Sequence, residues 1–97
     1  MGNKMIINQK IRVKFIDALI GVQGHFNCKD LERVFQISAP QSTRDLREYR
    51  KVNPNAPYSH SKQKSIPNED FRMSFFESQQ SASEYLKKIL DIYEVAS

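Results

Sequence analysis

A mainly α-helical fold carrying one small β-hairpin is what these 97 residues predict, and three observations lead there. Apolar side chains recur at helical spacing in four separate segments. Two of those segments open on residues that cap helices, and glycine or proline follows two of them. Between the third and fourth lies a polar, basic stretch bounded by prolines, which suits a short hairpin. The expected order is three helices, a hairpin and a terminal helix.

The first helix is expected from Asn8 to Val22, where Ile11, Phe15, Leu19 and Val22 form a stripe that Ile16 and Ile20 widen. Gly21 and Gly24 are expected to end it. His25-Phe26 is either a connector or a strand of two or three residues. The second helix starts at Asn27, a capping residue with Asp30 in the first turn, and Leu31, Val34 and Phe35 give its apolar face. Gln36-Ile37-Ser38 reads as a tight break. Ser38-x-x-Gln41 has the spacing of a capping box, and Pro40 sits in the first turn, where its missing N–H costs nothing. Leu46 and Tyr49 turn inward in this third helix, with Tyr49 expected in the core. The helix stops before Asn53-Pro54-Asn55-Ala56-Pro57.

The hairpin is expected over Tyr58–Ile66, around a basic tip with no Asn-Gly or Asp-Gly turn to mark it. Phe71, Met73, Phe75 and Phe76 make an apolar patch. Ser78–Ser83 reads as a linker or helix start, and Ser83 to Ala96 as the terminal helix. Its face of Tyr85, Leu86, Ile89 and Tyr93 has two possible uses. It folds back on the first helix, or it meets its copy across a two-fold axis, which is the use expected here.

Composition narrows the function. With 39% hydrophobic and 27% charged residues the chain is globular rather than disordered. No apolar run approaches the roughly 20 residues of a membrane span. No signal peptide is expected from the short patch after Lys4, and the single cysteine, Cys28, suits a reducing cytoplasm. His25 and Cys28 lack two further ligands at zinc spacing, so neither a metal nor another cofactor is expected. With no His-x-x-x-His pair, phosphate loop or nucleophile elbow, an enzyme is not expected either. The net charge of +4 is unevenly spread: residues 1–51 hold ten Lys/Arg against five Asp/Glu, and residues 69–97 hold three against six. The basic portion would attract a polyanion.

Two short helices joined by a three-residue break make a helix-turn-helix, with the first helix completing its core and the hairpin as a wing. Such a geometry puts the N-terminal part of the third helix against base edges in the major groove of double-stranded DNA. Gln41, Thr43, Arg44 and Arg47 are expected on its outer arc, with Glu48 a further candidate. Gln41 suits adenine and Arg44 guanine, and Ser38 at the helix start suits a phosphate. Arg47, Arg50, Lys51, Lys62 and Lys64 are expected to hold the phosphate backbone, and His60 to touch a phosphate or the minor groove. Asp45, a turn past the helix start, is expected to pair with a neighbouring arginine. The alternative is a protein-interaction module using the Phe71–Phe76 patch and the last helix; RNA binding ranks below both.

The run Leu31-Glu-Arg-Val-Phe-Gln-Ile-Ser-Ala-Pro-Gln-Ser-Thr-Arg-Asp-Leu46 resembles the winged helix-turn-helix that opens WYL-domain transcriptional regulators, above all those of bacterial anti-phage defence islands. The likeness extends through the wing to the terminal helix. It implies a homodimeric repressor contacting an inverted repeat, read by Ser38, Gln41, Thr43 and Arg44. Gln36 departs from the usual glycine of the turn, so a side chain must sit where positive φ is often needed. The ligand-sensing WYL domain is not among these residues, so effector control is not carried over. The expected division is a winged helix-turn-helix over 1–76 and a dimerising or core-completing helix over 77–97.

Overall fold

The computed structural model describes residues 7–93, and its elements are α1 (Ile7–Gln23), α2 (Cys28–Phe35), α3 (Ala39–Val52), β1 (Tyr58–Ser59), β2 (Lys64–Ser65) and α4 (Gln79–Tyr93). The predicted mainly α architecture with a hairpin wing and a C-terminal helix is the one observed. The last residues of the expected terminal helix, 94–96, lie outside the described ones.

α1 is the spine, packed by α2, α3 and α4. Val13, Phe15, Ile16 and Ile20 of α1 are buried together with Leu31, Val34, Leu46, Tyr49 and Ile89. Seven residues of α1 between Arg12 and Ile20 are buried, polar Arg12 and Asp17 among the apolar ones, which illustrates how tightly the helix is enclosed. Arg12 reaches α3: its Nε lies 2.6 Å from Asp45 Oδ2, and the carboxylate is fully buried. Gln9 and Gln41 donate side-chain N–H groups to the same carboxylate at 3.1 and 2.9 Å. The arginine partner expected for Asp45 is therefore present, but it comes from α1 and not from its own helix.

Asp17 is the second buried carboxylate. It accepts the Tyr49 hydroxyl at 2.6 Å and the backbone N–H groups of Ser74 and Phe75 at 3.0 and 2.9 Å. One side chain thus joins α1 to α3 and to the segment that follows the wing. Burial, with the Asp17 contact adding, pushes the Tyr49 hydroxyl well above the usual tyrosine range.

Gly21 does not end α1. It lies inside the helix, where an added Cβ would stand 2.2 Å from Met73 Sδ, so the glycine is a notch that admits Met73. Gly24 ends the helix: its φ is +83° and its N–H donates to Ile20 O at 3.0 Å. Phe26 forms a one-residue antiparallel bridge with Ser65, closed by bonds of 3.0 and 2.8 Å, so it extends the hairpin as a third, minimal strand.

α4 starts four residues earlier than the apolar spacing suggests. Ser78 and Ser81 cap it reciprocally, each hydroxyl accepting the other's backbone N–H at 3.1 and 3.4 Å. Its apolar face lies along α1. Ile89 is buried, and Tyr85, Leu86 and Tyr93 pack on the same core. The Tyr85 hydroxyl donates to Ile11 O at 2.9 Å, and Tyr93 meets Phe35 at 4.6 Å between ring centroids. The four residues expected at a two-fold interface thus complete the core of their own chain. Burial, reinforced by Tyr93, pushes the Tyr85 hydroxyl up to about 12.

Candidate nucleic-acid interface

The interface is built on the α2–α3 corner. Asn27 caps α2, its Oδ1 accepting Lys29 N–H at 2.8 Å. α2 ends at Gln36 with φ 57° and ψ 48°, the left-handed conformation in which glycine is usual and which costs a side-chain-bearing residue some strain. Two residues later Ser38 caps α3, its Oγ accepting Gln41 N–H at 3.2 Å. The Ser42 hydroxyl then bonds Glu32 Oε2 at 2.6 Å and ties the two helices together.

The wing is set against this corner by the other end of the same cap. Asn27 Nδ2 donates to Gln63 O at 3.1 Å, and Gln63 itself has φ 56°, which turns the chain into β2. One asparagine therefore starts α2 and fixes the wing relative to it. At the base of the wing, Asn53 closes α3 and holds the chain after β2: its N–H donates to Tyr49 O at 2.8 Å and its side-chain amide to Arg72 O at 2.7 Å.

Between the outer face of α3 and the wing runs an open groove of about 630 Å³. Thr43, Leu46 and Arg50 line it from α3, Cys28, Lys29 and Glu32 from α2, and Tyr58, His60 and Gln63 from the wing. Beside it, Arg47, Arg50 and Lys51 surround a second depression with Pro54. The expected contact residues fall into three groups. Thr43, Arg50 and His60 share the groove, and Arg47 and Lys51 border it. Thr43, Arg44 and Arg47 are exposed on one arc of α3. Lys62 is exposed at the wing tip and Lys64 half-buried in β2, and neither lines the groove.

Three of these side chains, Lys51, Gln41 and Arg44, already have partners within the helix. Lys51 Nζ lies 3.0 Å from Glu48 Oε2 in an exposed pair of adjacent turns, an association worth little and easily exchanged for a phosphate. Gln41, expected to face outward, is half-buried at the edge of the arc. Its amide donates to Asp45, and its Oε1 accepts Arg44 Nη2 at 3.1 Å. The sequence reading missed Asn27, Lys29, Tyr58 and Gln63 as parts of this surface. The capping signal at Asn27 was legible, but its second bond joins residues 36 positions apart.

Cys28 Sγ lies 3.9 Å from Ser42 O at the floor of the groove. Burial, with the Glu32 and Asp45 carboxylates adding, pushes its thiol above the ordinary value, so the neutral form persists at higher pH. Alkylation at pH 8 is expected to be several-fold slower than for a small free thiol. A rate equal to the free thiol's would contradict this burial.

Among the described residues no helix is long and apolar enough to cross a membrane. No curated protein matches the chain. Residues 8–91 match the model of the BrxR transcriptional regulator winged helix-turn-helix domain, a span that takes in every element of the fold and both sides of the groove. The chain therefore belongs to the winged helix-turn-helix domain family of the BrxR transcriptional regulators.

Proposed function

We propose that this domain binds double-stranded DNA sequence-specifically, with α3 in the major groove and the wing against the backbone. The observation that carries the proposal is the groove itself. One helix presents Thr43, Arg44, Arg47 and Arg50 beside a tethered wing; the two acidic side chains nearby are engaged, Glu48 with Lys51 and Glu32 with the Ser42 hydroxyl. Thr43 and Arg44, with Ser38 at the helix start, form the reading set, and Gln41 lies at its edge. Arg47, Arg50, Lys51, His60, Lys62 and Lys64 hold phosphates and fix the register.

The regulator acts in the cytoplasm as a homodimeric repressor that occludes a promoter at an inverted repeat, in the setting of anti-phage defence that the resemblance implies. A single small reading surface binds weakly, and two linked half-sites raise affinity through effective concentration. Ile89 is buried in the core, while Tyr85, Leu86 and Tyr93 pack on it and remain half-exposed, so their outer surfaces are the ones offered to a two-fold contact. The competing reading, a protein-docking module without DNA contact, needs a free apolar face at Phe71–Phe76. Phe71 and Phe75 pack on the core instead, and Phe76 meets Tyr85 in a tilted ring contact at 5.1 Å.

Titration into random duplex DNA at two salt concentrations tests the proposal. Affinity is expected to fall steeply with salt, as counterions are released from each neutralised phosphate. Lys62→Ala is expected to weaken all duplexes alike and to lower the slope of log K against log salt by about 1. Absence of binding at low salt would favour the protein-docking reading.

A further inference from the structure

We propose that Gln41 does not read a base directly but positions Arg44, through a hydrogen-bonded relay that begins on α1. This rests on α3 being the DNA-reading helix. The relay runs from Arg12 to the buried carboxylate of Asp45, with a 2.6 Å ion pair. Asp45 Oδ1 then accepts Gln41 Nε2 at 2.9 Å, and Gln41 Oε1 accepts Arg44 Nη2 at 3.1 Å.

Each link has a single sense. A carboxylate only accepts, so Asp45 fixes which end of the Gln41 amide faces inward. The carbonyl end must then point outward, where it meets a guanidinium that only donates. Adenine recognition by glutamine needs its carbonyl and its amide turned together toward the base edge. Gln41 is held at both ends, by one N–H on Asp45 and one carbonyl lone pair on Arg44, so it cannot swing toward a base without giving up one of these bonds.

Arg44 by contrast has five N–H donors and gives one to Gln41. Its remaining fork is exposed on the outer arc of α3, available for the paired acceptors of a guanine edge. A long flexible side chain held at one nitrogen loses less rotamer freedom on binding, so the relay sharpens discrimination more than it adds contacts. Because the anchor of the relay is Arg12, the orientation of the reading arginine is set by the spine of the fold.

The test compares base preference at each position of the best-bound duplex for wild type, Gln41→Met, Arg44→Ala and the double variant. Methionine keeps the length of glutamine and removes both hydrogen bonds, while Arg12 and Gln9 still satisfy Asp45. Urea unfolding and salt-dependent binding to random duplex check that each variant stays folded. The relay predicts that Gln41→Met and Arg44→Ala relax preference at the same base pair, each by roughly ten-fold, and that the double variant is no worse than Arg44→Ala alone. Relaxation at two different base pairs, with losses that multiply, would overturn the relay and leave α3 as the reading helix. A wild-type protein that binds every duplex equally would overturn the reading helix, and the relay with it.

Discussion

Asp45→Ala is expected to destabilise the domain by about 3–5 kcal/mol, a large share of the ~5–15 kcal/mol that holds a domain of this size together. The size of the loss follows from what remains. Arg12 is only 8% exposed, and without Asp45 its charge would be held out of water with no counter-ion. Gln9 and Gln41 would each lose an acceptor as well. Replacing both charged partners, Arg12→Met with Asp45→Leu, is expected to recover most of the loss, because a buried pair costs more to break than to replace. Urea denaturation of the three proteins measures this directly. An unchanged midpoint for Asp45→Ala would contradict the buried-pair account.

The second large effect is expected at Asp17. Asp17→Ala leaves the Tyr49 hydroxyl without its acceptor in the interior, and takes the same acceptor from the part-buried N–H groups of Ser74 and Phe75. At about 1–3 kcal/mol for each buried polar group left unsatisfied, and allowing for partial relaxation, the loss is about 3–4 kcal/mol. For a domain of under 100 residues that corresponds to a fall in Tm of roughly 12–30 °C. Tyr49→Phe removes one donor and keeps the carboxylate's other two bonds, so it is expected to cost about 1–2 kcal/mol. A thermal scan in which Asp17→Ala melts with the wild type would show that the segment after the wing does not depend on this carboxylate.

These two sites mark the boundary of what could be read from the residues alone. Local chemistry was legible: Asn27 and Ser38 cap the helices they were expected to cap, Gln36 takes the positive φ that its place in the turn demanded, and Tyr49 is in the core. Periodicity shows which side chains turn inward but not what they meet. Arg12 and Asp17 are charged residues set among the apolar positions of α1, yet both are buried by partners 32 or more residues away in sequence. Gly21 looked like a stop signal because glycine disfavours helix in isolation, and only the approach of Met73 reveals its use. The terminal helix posed the same problem: an apolar stripe is equally suited to a second copy or to the chain's own core, and α1 takes it.

The candidate site divides along the same line. The outer arc of α3 follows from the inward positions of Leu46 and Tyr49, so Thr43, Arg44 and Arg47 were placed by spacing alone. Gln41 was placed on that arc as well, but the pull of a buried acceptor at Asp45 turns it to the edge. The tether from Asn27 to the wing could not be inferred, since no local pattern encodes a bond between a helix cap and a residue across the hairpin.

The central claim is that the arc of α3 reads a defined sequence from double-stranded DNA. Selection of bound duplexes from a fully random pool tests it most directly. The account predicts enrichment of an inverted repeat, its half-sites spaced by about one helical turn or a multiple of it, and loss of that enrichment at one base pair per half-site in Arg44→Ala. A pool that stays random after repeated rounds, while the protein remains folded, would contradict it.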